Sequence, residues 1–285
     1  MKKVILSISA MLFVGFAAVA QNNSAVGQIG NDNTGNASQN GSNNNSTVAQ
    51  NGNTNKSEVF QGLQPGLYPA KNNLADVKQT GNSNTSWISQ SNKNNEGYQV
   101  QTGNSNKATI WQDQIAGPLT ALNGGDKAWQ FQTGNSNEAT VDQGTTGNEV
   151  PTGAPFSVSQ LAQLPVTVPI APNGANEATQ TQAGNYNLAY ASQGGDHNIS
   201  KQTQNSTAVG TLDRNISRHY QYGDNNSSIS TQNNNKNLEN TLQIGKSNTS
   251  VLTQTNLVGG SGNNQVGFSS GTGNHITVAQ TAVAP

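Results

Sequence analysis

The segment QTGNSNKATIWQ, residues 101–112, stands between two near copies, QTGNSNTSWISQ at 79–90 and QTGNSNEATVDQ at 132–143. The glutamines, the glycine and the second asparagine keep their places, while the residue before the closing glutamine changes from Ser to Trp to Asp. A β-strand explains that split, because its side chains point alternately to opposite faces. Asn106, Ala108, Ile110 and Gln112 then share one face, and Lys107, Thr109 and Trp111 share the other. The fixed residues face inward; the variable ones face water or a neighbour.

The same step runs through the chain. Gln28, Gln39, Gln50 and Gln61 are eleven residues apart, and the step recurs at Gln79, Gln90, Gln101 and Gln112 and at Gln132 and Gln143. It returns at Gln182, Gln193 and Gln204, and again at Gln221, Gln232, Gln243 and Gln254. Each step reads Q-x-G-x-x-N-x-a-x-h-x-Q, where a is usually Ala or Ser and h is often Val or Ile. The pattern's asparagines include Asn33, Asn44, Asn55, Asn84, Asn106, Asn137, Asn187, Asn226 and Asn248. Its turn glycines are Gly30, Gly41, Gly52, Gly81, Gly103, Gly134, Gly184, Gly223 and Gly245.

Nineteen seven-residue strands result, the first opening at Asn22 and the last closing at Gln280. Eighteen open with Asn, the exception being Asp126, and eighteen close with Gln, the exception being Ser269. The first inward position is Gly, Ala or Ser in all but Glu239, Gln265 and Ile276, so the interior is narrow. All nine prolines lie outside these segments, as strands that bond along both edges require.

A short strand and a Gly/Asn-rich turn at a fixed period define an all-β fold: a β-solenoid of stacked strand-turn-strand coils with 11-residue half-repeats, cross-β and amyloid-like. Gly and Asn suit turns such as TGNS because they tolerate positive φ where the chain reverses. With two strands per coil and about 4.8 Å between coils, the rod is about 45 Å long. Inside it, the Asn and Gln amides are expected to form a structural ladder, each donating to one neighbouring coil and accepting from the other. A buried amide without partners costs about 1–3 kcal/mol, so the ladder fixes register as well as adding stability.

Composition narrows the function. Only 31% of the chain is apolar and 9% charged, too little apolar surface for an oil-drop core. Without the repeat, such a chain reads as disordered or prion-like. A formal net charge of −1 offers no basic stripe for nucleic acid and little repulsion between copies. Lys2 and Lys3, the apolar run from Val4 to Val19 and the small residues Ala18 to Ala20 read as a secretory signal peptide over residues 1–20. No other apolar segment reaches the length of a membrane span, so none is expected after signal removal.

No cysteine is present, hence no disulfide framework and no thiolate metal site. His197, His219 and His275 are too scattered to suggest a metal cluster, and the few aspartates give no catalytic carboxylate pair. The expectation is a protein without enzymatic activity, cofactor or metal. His219 and Glu239 both fall inward, two strands apart on one sheet, as a pH-sensitive pair or a poorly packed coil.

Five insertions interrupt the repeats, near 62–72, 113–125, 144–175 (Pro-rich), 205–214 and 255–262. They leave repeat regions at 21–143 and 176–280 and a tail at 281–285. With two strands per coil, the first three insertions leave one edge of the rod and the last two the other. APFSVSQ at 154–160 places Phe156, Val158 and Gln160 inward and is a candidate twentieth strand, although Pro155 argues against it. Phe60, Trp87, Tyr98, Trp111, Trp129, Phe131, Tyr190 and Tyr220 take outward positions. They form either a stripe for fibre packing, glycans or surfaces, or the ordinary aromatic content of half-exposed strands.

The unit Q-x-G-x-x-N-x-A-x-x-x-Q, clearest at 101–112 and 132–143, resembles the curlin repeat of curli fibre subunits, the bacterial extracellular functional amyloids. The likeness covers nearly all of the chain after residue 20. Family units commonly alternate strands opening with Ser and with Asn, whereas almost every strand here opens with Asn, and the insertions lengthen the chain. The resemblance implies a secreted, cell-surface fibre subunit that assembles with itself, as a main, minor or nucleating subunit. It also implies an outer-membrane secretion pore and a nucleator subunit as partners, with a role in biofilm matrix and adhesion. NNSAVGQ at 22–28 and NHITVAQ at 274–280 are uncharged strands without a cap, so the two ends are expected to template one another. The alternative is a surface adhesin whose rod displays its insertions without polymerising.

Overall fold

The computed structural model describes residues 21–62, 70–112, 124–144, 174–257 and 260–283. One sheet, called A, stacks ten strands in the order β1 (Asn23–Ile29), β4 (Asn45–Asn51), β7 (Leu74–Thr80), β9 (Glu96–Asn104), β11 (Lys127–Asn135), β13 (Glu177–Gly184), β15 (Ile199–Ser206), β17 (Ser227–Asn233), β19 (Thr249–Asn256) and β21 (His275–Ala282). Sheet B stacks nine: β2 (Thr34–Gln39), β5 (Lys56–Gln61), β8 (Thr85–Gln90), β10 (Lys107–Gln112), β12 (Glu138–Gln143), β14 (Leu188–Gly194), β16 (Ile216–Asp224), β18 (Leu238–Lys246) and β20 (Asn264–Thr272). A two-residue pair, β3 (Gly41–Ser42) with β6 (Ala70–Lys71), sits at a turn. Successive long strands alternate between A and B, and each pairs in parallel with the strand one coil away. The chain is the all-β solenoid that its period requires.

Each long strand begins one residue after the Asn or Asp that opens its unit. Several run on past the closing glutamine, β9 as far as Asn104, because parallel pairing continues into the stacked turns. Where no insertion intervenes, residues 22 apart stack, as Gln79 does on Gln101. Between Gln132 and Gln182 the separation is 50, yet the two still stack in register. Widening the spacing from 22 to 50 thus leaves the register unchanged, because the chain returns on the same Asn and Gln.

The first three insertions follow β5, β10 and β12 of sheet B, and the last two follow β15 and β19 of sheet A. The candidate strand at 154–160 lies outside the described residues; β11 pairs directly with β13, and β12 with β14. Insertion 205–214 forms a short 3-10 turn, Thr211–Asp213, whose Asp213 meets Lys236 at 3.3 Å.

Burial alternates along the strands. In β4, Ser46, Val48 and Gln50 are buried, and the residues between them are exposed. The apolar interior is one thin seam comprising Val48, Val59, Ala75, Val77, Ile88, Ile110, Ala128, Val141, Ala178 and Ala191. It is flanked on both sides by amides.

The outer side of sheet B departs from simple alternation. Ser89, Thr109, Ser192 and Leu242 are buried there, and Tyr220, outward by parity, is only 5% exposed. Large neighbours at outward positions shade them. Tyr220, Tyr222 and Leu242 form a second apolar cluster with Tyr190, Ile244 and Phe268, and Trp87, which pairs with Thr109, packs 4.9 Å from Phe60. Among the described residues, no helix is long and apolar enough to cross a membrane, which says nothing of strands.

Candidate functional site: amide columns and open sheet edges

Glutamine closes each inward face, and its reach decides what it bonds. In sheet A the side chains run Gln28, Gln50, Gln79, Gln101, Gln132, Gln182, Gln204, Gln232, Gln254 and Gln280, each Nε2 donating to the next Oε1 at 2.7–3.0 Å. In sheet B the column runs Gln39, Gln61, Gln90, Gln112, Gln143, Gln193, Gln221 and Gln243 at 2.8–3.0 Å. It stops where Ser269 takes the next place, since a serine hydroxyl is too short to continue it.

The second Nε2 hydrogen crosses the core. Gln101 donates to the Thr85 carbonyl at 3.0 Å, Gln90 to that of Leu74 at 2.9 Å and Gln61 to that of Asn45 at 3.0 Å. One amide therefore joins a coil to its successor and one sheet to the other.

Asparagine opens each strand except β11, where Asp126 takes its place, and the column has the opposite sense. Asn55, Asn84, Asn106, Asn137 and Asn187 each donate both backbone N–H and Nδ2 back to the preceding Oδ1, at 3.0–3.1 Å. Asn44, Asn226 and Asn248 do so beside sheet A at 3.0–3.2 Å. The other Nδ2 hydrogen clamps a turn carbonyl of the following coil, as Asn106 does with Gly134 at 2.8 Å. Those turns stack backbone on backbone. A Cβ on Gly103, at φ +116°, would collide with the Gly134 carbonyl oxygen, so only glycine fits there. Gly30, Gly52, Gly81, Gly103, Gly134 and Gly184 form one such column, and Gly223 and Gly245 belong to another with Gly195 and Gly271.

Sequence reasoning missed two further columns. Gln99, Gln130, Gln180 and Gln202 occupy the position where the preceding sheet A coils hold Val, and they bond in series at 2.8–2.9 Å. The doublets QVQ, QFQ, QTQ and QTQ at 99–101, 130–132, 180–182 and 202–204 were the signal. In the exposed turns Asn31, Asn53, Asn82, Asn104, Asn135 and Asn185 make a third asparagine column.

The structure brings His219 and Glu239 together in the interior. Both are fully buried, with His219 Nε2 3.4 Å from Glu239 Oε2. Ser200 meets His219 Nδ1 at 2.8 Å, Ser217 donates to Glu239 Oε2 at 2.6 Å, and Thr241 donates to Oε1. Apart from this pair, the ion pairs among the described residues are surface contacts such as Lys107–Glu138 and Lys127–Glu96, both 3.1 Å. No group of three His, Asp or Glu among the described residues stands close enough to hold a metal ion.

At the two ends of the stack the strands have one free edge each. Among the described residues, β1 pairs with β4 alone and β2 with β5 alone; β20 pairs with β18 alone and β21 with β19 alone. Exposure follows: Val26, inward by parity, is 44% accessible.

These features define a parallel β-solenoid whose coils are joined by side-chain amide columns and whose terminal edges are unpaired among the described residues, a structural rather than a catalytic architecture. The model of the curlin associated repeat matches residues 30–62, the stretch from Gly30 to Gly62 that carries β2, β3, β4 and β5. The chain thus carries the curlin repeat. No curated protein matches it.

Proposed function

We propose that this chain is a structural subunit of a secreted, self-assembling, amyloid-like fibre that contributes to biofilm matrix and surface adhesion. The polarity of the columns at the two ends carries the reading. Glutamines donate forward along the stack, so Gln28 and Gln39 present Oε1 at the first coil while Gln280 brings Nε2 to the last. Asparagines donate backward, so the N–H groups of Asn22 and Asn33 stand at the first coil and Asn274 presents Oδ1 at the last. Each end offers what the other accepts. Unpaired strands of this kind add further strands readily, and natural monomers usually cover or charge them.

In this reading residues 1–20 direct export, a dedicated outer-membrane pore and a nucleator subunit act as partners, and the outward aromatics contact surfaces or glycans. Tyr98 and Trp129, stacked with ring centres 6.2 Å apart, support the last of these. Purified chain lacking residues 1–20 is expected to show a lag and then a rise in thioflavin fluorescence, with a fibre reflection near 4.8 Å. Protein that stays monomeric and dye-negative for days would replace the fibre by a non-polymerising rod.

A further inference from the structure

We propose that successive copies of this chain join with a half-turn about the rod axis, so that sheet A of one copy continues as sheet B of the next. The proposal rests on the fibre reading and adds the geometry of its joint. Among the described residues sheet A holds ten strands and sheet B nine, which leaves β21 one level beyond β20. That level is half built. Ile276, Val278 and Gln280 are only half-buried, whereas Ser250, Leu252 and Gln254 one coil earlier are buried.

Two joints are conceivable. Without rotation, β1 of the incoming copy lies on β21, and its β2 then falls two levels above β20. One strand-wide slot stays empty, facing the free edge of β20. Within that strand Gln265 Oε1 and Ser269 Oγ are buried without hydrogen-bond partners, so the vacancy adds a full row of unpaired backbone groups beside two unmet side chains. With a half-turn, the incoming β1 fills the slot over β20 and its β2 lies on β21, as every sheet A strand within the chain is followed by one in sheet B.

The side chains fit this second joint. Aligning opening Asn with opening Asn sets Val26 over Gly267 and Gly35 over Ile276, a large residue against a glycine in both places. It also sets Gln39 over Gln280, so the forward-donating column crosses the joint. On the other side Gln28 falls over Ser269, where the sheet B column has already stopped, so the amide column crosses the joint through Gln280 and Gln39 alone, while the opening asparagines keep the register on both sides.

Helical reconstruction by cryo-microscopy of fibres grown from the chain lacking residues 1–20 tests the joint. Nine and a half coils give an expected rise of about 45 Å per copy, with a rotation near half a turn beyond the ordinary sheet twist. A rotation near zero with a rise of about 48 Å would overturn the proposal while leaving the fibre intact. Absence of any fibre would instead remove the reading beneath it. A chain ending at Thr272 lacks β21 and restores equal sheets, so its fibres are expected to lose the half-turn. Persistence of the half-turn in that shortened chain would also overturn the proposal.

Discussion

The coils built on β10 and β12 and those built on β16 and β18 have the same ends and opposite middles. At β10 and β12 the inward residues between Asn and Gln are Ala108 with Ile110 and Ala139 with Val141. At β16 and β18 they are Ser217 with His219 and Glu239 with Thr241. The ends hardly register the change: Gln112 donates to Gln143 at 3.0 Å and Gln221 to Gln243 at 2.9 Å, while Asn137 and Asn237 each reach the preceding Oδ1 at 3.1 Å. Register is therefore carried by the two amides of each strand. The middle must only be filled and have its polar atoms met.

Breaking the polar middle on one side gives the largest expected effect. Glu239→Ala takes the carboxylate away from the Thr241 hydroxyl and from Ser217, which keeps Ser230 as its other partner, and leaves a gap beside the buried His219 ring. Leaving buried polar groups without partners and a gap in the interior costs about 4 kcal/mol. The double change His219→Val with Glu239→Ser returns this coil to the filling used elsewhere and is expected to lie within about 1 kcal/mol of the parent. Denaturant midpoints of the freshly dissolved monomer compare the three. A double variant no better than the single one would mean that these coils are specified differently from β10 and β12.

Gln101→Leu tests the ends. It keeps bulk but leaves Gln132 Oε1 without its ladder donor and Gln79 Nε2 without its ladder acceptor and removes the cross-core bond to the Thr85 carbonyl, for about 3 kcal/mol. Fibre growth is expected to slow in parallel. Lys107→Ala, which removes only the exposed pair with Glu138, should stay within about 0.5 kcal/mol. Equal stability of the two variants would show that the amide columns do not hold the register.

Much of this was legible because the period is strict: eleven-residue spacing, proline exclusion and small first inward residues together admit one fold. The Gln101 and Asn106 columns follow from it, since residues at one place in every unit must stack. The Gln99 to Gln202 column was hidden by the same averaging, because its position holds Val48 and Val77 in earlier sheet A coils. The cross-core bonds, such as Gln101 to Thr85, depend on the distance between sheets, which no repeat encodes. Tyr220 is buried by its neighbours Leu242 and Tyr190 on adjacent coils, a proximity that alternation along one strand cannot express.

A smaller effect separates the turns. Beside sheet A they carry the neutral asparagine column from Asn31 to Asn185, but the corresponding turns beside sheet B place Asp196 next to Asp224, with Lys246 2.8 Å from the latter. Partial burial raises the Asp196 carboxyl above its ordinary value, the neighbouring Asp224 charge raises it further, and its Oδ1 has no hydrogen-bond partner. The folded state thus holds this proton more tightly than the unfolded chain. Stability contributed by the protonated acid is present at low pH and is lost as pH rises from the ordinary carboxylate value through the raised one. Asp196→Asn removes that loss and supplies the amide used on the other side. The expected gain is about 0.5 kcal/mol at pH 7, limited by solvent screening, and close to none at pH 3. Unfolding midpoints at the two pH values read the difference; an equal shift at both would assign the gain to the amide's hydrogen bonds rather than to relief of charge.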